Sequence, residues 1–286
     1  MKLIRFTHEG QTDIGVADGA SAIRLSSVIP DAPKSIKDVL AGGESLRARI
    51  ETGLAGVTDR IPMSEVRLEA PVPDAQKYLA IGMNYEDHAD EARKAGHPVP
   101  KTQLWFNKQV TCIVGPYDDV HHPKASQRVD YEAELGVVIG QRCRHVSVED
   151  ARSVIGGYFV ANDVTARDWQ MASPTFTLGK SFDTHGPTGP WVVTADEIPD
   201  PHNLEMSLTV NGELRQKQNT GQMIHNIWQQ IAHLSTVMTL NPGDLIATGT
   251  CAGVGIALNK FLQPGDVVRV EIAGIGHIEN RIVPEP

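Results

Sequence analysis

Val129, Tyr131, Ala133 and Leu135 alternate with Asp130, Glu132 and Glu134, and the run passes directly into Gly136-Val137-Val138-Ile139-Gly140. Side chains two apart on a strand point the same way. This period of two therefore predicts one strand with an apolar face and a face of three carboxylates. A bare Glu-x-Glu of this kind is most often a half-buried strand with a solvated acidic face. The apolar continuation argues otherwise, because it carries the strand into a core, where carboxylates need partners. Two carboxylates so placed can converge on one cation.

A further carboxylate, Asp163, follows the apolar stretch Tyr158-Phe159-Val160-Ala161. Asp163, Arg167 and Gln170 are spaced i, i+4 and i+7, so a helix there would place them on one face. The plain alternative is a surface ion pair beside a glutamine. Carboxylates without clustered His or Cys mean hard oxygen ligation, which favours Mg²⁺, or else Mn²⁺ or Ca²⁺, over Zn²⁺. Three protein oxygens leave about half of an octahedron for water or a chelating substrate, as a catalytic site requires.

The chain has 286 residues and a formal net charge of −9, with no Lys/Arg-rich stretch, so a nucleic-acid partner is not expected. No apolar run approaches the ~20 residues that span a bilayer. Met1 to Gly10 carries no apolar signal core, so a soluble, cytoplasmic protein is expected, with no membrane partner. Cys112, Cys143 and Cys251 are odd in number and far apart, and are read as reduced structural thiols. No glycine-rich nucleotide loop is present.

Lys2 to Thr7 reads as a short strand, Ser35 opens a helix through Leu40, Gly42-Gly43 breaks it, and a second helix is expected over Ser45 to Glu51. Residues 1–68 are read as a small N-terminal α+β domain and 69–286 as the catalytic body. In the body, Tyr78–Ile81 reads as a strand. Asn84 with Asp87 reads as a capping-box-like start of a helix through about Ala95, which Gly96 ends. Asn211-Gly212 between Met206–Val210 and Glu213–Gln216 is a hairpin signal. Pro-Gly-Asp turns at Pro242 and Pro264 precede strands at Leu245–Thr248 and Val267–Ile272, and Ile224–Leu234 reads as an amphipathic helix. Helices are few, which disfavours a doubly wound sheet. His121-His122 is read as a loop feature, since neighbours on an extended chain point apart, and His185 is left out of the site.

Several ordered motifs together resemble the fumarylacetoacetate hydrolase family over roughly residues 70–285. They are Gly82-Met83-Asn84-Tyr85 with His88 and Glu91, Phe106-Asn107-Lys108, Asp130 to Gly140, Asn162 to Asp168, Gly179 to Asp183, and Gly249 to Gly255. Cys251 and Gln109 depart from prolines common in the family. The resemblance implies an α+β fold, a β-rich roll of mixed strands, and a homodimer. It implies Glu132, Glu134 and Asp163 as metal ligands, and Arg167, Gln170, Lys180 and Thr250 around the substrate. It also implies that the segment after Asn84 is a lid that becomes ordered over bound ligand, and that Ala95, His97 and Val99 shape the pocket.

His88 and Glu91, three apart on that helix, can touch, and a carboxylate that orients an imidazole makes a water-activating base. Lys180 is suited to hold a substrate oxygen, and Gly249-Thr250 to receive a carboxylate. The expected substrate is a small 2-oxo acid. The expected reaction is hydrolysis of the C–C bond of an acylpyruvate to pyruvate and a carboxylic acid. Decarboxylation of oxaloacetate and isomerisation of an unsaturated 2-oxo acid are the rivals on the same site, and a catalytically silent metal- or ligand-binding protein is the more distant one.

Overall fold

The computed structural model describes residues 1–96 and 98–286. Two sheets face each other across one core. The larger has twelve strands. Its main path runs Ile61–Pro62, Ser21–Arg24, Gln11–Asp18, Lys2–His8, Gly186–Thr194, Ile155–Asn162, Ala133–Ile139, Leu245–Ala247, Tyr78–Gly82 and Leu104–Lys108. The second has five, in the order Glu213–Asn219, Glu205–Val210, Val267–Ile272, Gly276–Pro284 and Val120–His122. Pairing is mostly antiparallel, with parallel pairs such as Leu245–Ala247 on Tyr78–Gly82. This is a mixed-strand, sheet-rich α+β fold, as expected.

Leu135, Val137, Tyr158 and Val160 of the large sheet share a core with Met206, Leu208, Val268 and Val270 of the small one. On the opposite face of the large sheet, Val138, Phe159 and Val192 pack with Leu3, Val39, Leu40 and Ile50. The N-terminal strand Lys2–His8 joins the body directly, pairing Lys2 with Val193 and Leu3 with Val192. Gly136 is required at the centre, because a Cβ there would lie 2.3 Å from the Phe159 ring.

The Asn211-Gly212 hairpin forms, and both turn residues take positive φ, 53° and 79°, as a tight two-residue turn demands. Ser35 caps its helix by accepting from Asp38 N at 3.2 Å, and Val267–Ile272 is a strand as read.

Other expectations are corrected. The carboxylate run is two strands, Val129–Asp130 and Ala133–Ile139, broken at Tyr131-Glu132, and its polar face is buried. Asp163 to Gln170 is not one helix. Thr165–Ala166 pairs with Val129–Asp130, and helix begins only at Arg167. The helix expected from Ile224 begins at Ile227, since Asn226 and Gln229 form a capping box there. The helix Glu86–Lys94 has Tyr85 at its N-cap and no side-chain cap; Asn84 is used elsewhere. His121-His122 belongs to an edge strand on Gly276–Pro284. The expectation for His97 lies outside the described residues. Among the described residues no helix is long and apolar enough to cross a membrane, and all three cysteines are free and buried.

Candidate active site

Glu134 projects from the central strand Ala133–Ile139. Glu132 precedes that strand, and Asp163 follows Ile155–Asn162. Asp163 N bonds Glu132 O at 2.9 Å, which ties the two segments together. One carboxylate oxygen from each of Glu132, Glu134 and Asp163 lies within 4.8 Å of the others, and all three residues are buried.

Cations crowd two of the three. Lys180 Nζ donates to Glu132 Oε2 at 2.7 Å and to Asp163 Oδ2 at 2.8 Å. Lys108 Nζ donates to Asp163 Oδ1 at 2.6 Å and also to the carbonyls of Val164 and Lys180. Arg167 Nη2 lies 2.7 Å from Glu132 Oε1, an ion pair without hydrogen-bond alignment. Burial pushes the Glu132 carboxyl up, but Lys180 and Arg167 outweigh it and hold it down at about 2. Burial likewise opposes the charge of Lys180, which Asp163 and Glu132 more than restore.

Glu134 differs. Its hydrogen-bond donor is Gly249 N–H at 2.7 Å, and among the described residues no cationic side chain is paired with it. Burial first, then the charges of Asp163 and Glu132, raise its carboxyl well above the usual range. Asp130, Glu132, Glu134 and Asp163 together face three buried cations, Lys108, Arg167 and Lys180. With Glu134 ionised the cluster would carry one uncompensated negative charge on an all-oxygen donor set, and the raised Glu134 carboxyl reflects that missing positive charge. That fits a hard divalent cation bound by Glu132, Glu134 and Asp163.

Asp130, grouped with the other two by spacing, serves a different purpose. It accepts from Arg167 Nε at 2.7 Å and from the backbone N–H of Tyr131, Gly255 and Ile256. Arg167 Nη1 in turn donates to Gln170 Oε1 at 2.9 Å. The two meet as i and i+3 of a short helix, without Asp163 on that face.

Above the carboxylates, His88 Nδ1 lies 3.1 Å from Glu91 Oε2, and Glu91 Oε1 accepts from Gly253 N at 2.9 Å. Asp87, one turn earlier, accepts from Gln218 Nε2 and Ala252 N. The helix Glu86–Lys94 is thus fastened to the loop at 249–255. Asn84 anchors its start, bonding the carbonyls of His225 and Thr248 and accepting from His225 N. Gly249, at φ 100°, permits this approach, since a Cβ would sit 2.7 Å from Asn84 Cβ. His88, Glu91, Glu132, Arg167, Gln170, Lys180 and Thr250 all line one cavity of about 330 Å³.

Two contributors were not singled out from sequence. Lys108 ends an edge strand and looks like a surface lysine, and only the Phe106-Asn107-Lys108 motif hinted at more. Gln216 sits in a hairpin strand with no signal at all. Its Oε1 accepts from Ala133 N at 2.9 Å, and its Nε2 donates to Thr250 Oγ1 and to Cys251 O, each at 2.8 Å.

Residues 77–283 match the model of the fumarylacetoacetate (FAA) hydrolase C-terminal family. The chain belongs to the fumarylacetoacetate hydrolase family. Within it, the chain is 42% identical over 291 residues to the mitochondrial oxaloacetate tautomerase FAHD2B of Bos taurus, covering 99% of this chain and 92% of that protein. Among solved structures it is similar to the maleylpyruvate hydrolase of Sphingobium sp. SYK-6 in complex with a manganese(II) ion and pyruvate. That match has 35% identity, full coverage of both chains and a TM-score of 0.85. It is also similar to a 2-hydroxyhepta-2,4-diene-1,7-dioate isomerase of Mycobacterium marinum, at 33% identity and a TM-score of 0.78, covering 100% of this chain and 99% of that one. Members of the fumarylacetoacetate hydrolase family that resemble this chain thus include a hydrolase, an isomerase and a tautomerase.

Proposed function

We propose that this chain is a divalent-metal-dependent hydrolase that cleaves the C–C bond of an acylpyruvate or related 2,4-dioxo acid, giving pyruvate and a carboxylic acid. One observation carries the reading: the hydrogen-bonded pair His88–Glu91 lines the same cavity as Glu132, Arg167, Lys180 and Thr250. Glu132, Glu134 and Asp163 would hold the ion, Mg²⁺ by preference, with Mn²⁺ or Ca²⁺ as substitutes. When bound, it supplies a chelation point for a 2-oxo acid and positive charge against the departing enolate.

The side chains supply the rest. Glu91 is acceptor-only when ionised, so His88 Nδ1 carries the shared proton and Nε2 keeps its lone pair. That nitrogen takes a proton from water as the water oxygen bonds to the C4 carbonyl carbon. The C3–C4 bond breaks with its electron pair on C3, and the imidazolium returns its proton there. The carboxylic acid product ionises, releasing one proton per turnover at neutral pH. Two of the three Lys180 N–H groups are committed to Glu132 and Asp163, which leaves one for a substrate oxygen. Arg167, braced by Asp130 and Gln170, and Thr250 receive the carboxylate of the 2-oxo acid.

A second reading is proton transfer on oxaloacetate, or decarboxylation or isomerisation of a related 2-oxo acid, without attacking water. It is favoured by the 42% identity to an oxaloacetate tautomerase. The deciding assay compares acylpyruvates with oxaloacetate, with and without Mg²⁺. Pyruvate release from acylpyruvate that requires Mg²⁺ supports hydrolysis; turnover of oxaloacetate alone overturns it. Homodimeric operation belongs to the same reading through the family resemblance, and a monomer by light scattering at micromolar concentration would contradict it.

A further inference from the structure

The polar groups of the cavity are those that serve the 2-oxo acid head and the base. The remaining wall is built from apolar side chains, among them Met83, Leu104, Phe106, Met171, Phe176 and Val254. They come from four separate elements: the entrance of the lid, the edge strand Leu104–Lys108, the segment after Arg167, and the loop before Gly255. Phe106 and Phe176 pack edge to face at 6.0 Å, which gives that wall a fixed aromatic surface.

Among the described residues, the cations that reach the cavity are Arg167 and Lys180, beside the imidazole of His88. Both are bound to carboxylates of the cluster. Arg93 and Lys101 lie past Pro98 in a separate, more open groove, and Arg93 is already paired with Glu86 and Asp90 of its own helix. A carboxylate held against this wall would lose part of its water and, among the described residues, gain no partner, which is costly. A hydrocarbon group would gain from the same burial.

We propose that the substituent on the C4 carbonyl is apolar and uncharged, an alkyl or aryl group, and that short dicarboxylates are disfavoured. This rests on the 2-oxo acid reading of the polar end and extends it to the other end of the substrate. The preference differs from the dioate named for the Mycobacterium marinum isomerase above.

The test is calorimetric binding to the Mn²⁺-loaded protein, with 2-oxohexanoate and 2-oxoadipate as probes. They share the 2-oxo acid head and the chain length, and differ in ending on methyl or carboxylate. At least about tenfold tighter binding of 2-oxohexanoate is expected, from the penalty on an unpaired buried charge. Equal or tighter binding of 2-oxoadipate overturns the inference while leaving the 2-oxo acid reading intact. Binding of neither removes that reading and the inference with it. Met171→Lys adds a cation at a lining position that is 52% exposed, where the fold tolerates it. The ratio should shrink in this variant, and an unchanged ratio would mean the far end of the ligand does not meet this wall.

Discussion

Gln216 Nε2 donates to Thr250 Oγ1 at 2.8 Å while its own Oε1 accepts from Ala133 N, so the orientation of the amide is fixed. With a lone pair of Thr250 occupied, the hydroxyl proton is left to point at a ligand. Gln216→Leu would strand buried partners on both sides, at a cost of about 1–3 kcal/mol each. Reduced thermal stability is expected, together with a rise in KM larger than any fall in kcat. An unchanged KM would mean Thr250 does not hold substrate.

Glu134 is the carboxylate of the cluster without a cationic partner among the described residues. Burial and the neighbouring carboxylates already oppose its ionisation in the metal-free protein, so an amide in its place should cost that form little and weaken the loaded one. Glu134→Gln is expected to leave the apo melting temperature equal or higher, and to lower Mg²⁺ or Mn²⁺ affinity on the order of 100-fold. Melting curves with and without metal check both halves. Full wild-type activity after exhaustive chelation would remove the ion from the account.

Lys108 is buried against Asp163 at 2.6 Å. Lys108→Met leaves that carboxylate with Lys180 alone, and breaking a buried pair from one side costs about 3–5 kcal/mol. Chemical denaturation should show that loss, and saturating Mn²⁺ should recover part of it by supplying positive charge. A loss that metal does not reduce would separate Lys108 from the electrostatics of the site.

Burial, and then the charge of Lys108, hold the His185 imidazole down at about 3. Its Nε2 donates to the carbonyl of His121 at 3.0 Å, and Nδ1 is buried without a partner. An unfolded histidine protonates near pH 6.5. Between about 6.5 and 3 the unfolded state therefore binds the extra proton, and stability falls as pH falls. His185→Gln keeps a donor for His121 and should flatten that part of the stability–pH curve. An unaltered slope would mean carboxylates alone cause the acid loss.

Legibility followed the range of the interaction. The Asn211-Gly212 turn, the Ser35 cap and the strand Val267–Ile272 are decided by neighbours in the chain, and they read correctly. The grouping of Glu132, Glu134 and Asp163 was visible only as a family pattern, since spacing alone allowed a solvated face. Asn84 misled because a short amide can cap a helix or bridge strands, and here it bridges positions 225 and 248. The supposed helical face of Asp163, Arg167 and Gln170 failed because a two-residue strand pairing intervenes. Lys108 and Gln216 act across 55 and 34 or more residues of sequence, through contacts that no local period encodes.

The central claim is that His88, oriented by Glu91, activates the water that cleaves the substrate. The direct measurement is pyruvate release from an acylpyruvate by wild type and His88→Ala at saturating Mg²⁺, beside turnover of oxaloacetate by the same proteins. Loss of a general base costs ~10²–10⁴-fold. Acylpyruvate cleavage should fall by that factor in His88→Ala, far more than any decarboxylation, with Mg²⁺ affinity unchanged, and Glu91→Gln should fall less far in the same direction. Undiminished cleavage by His88→Ala would contradict the account.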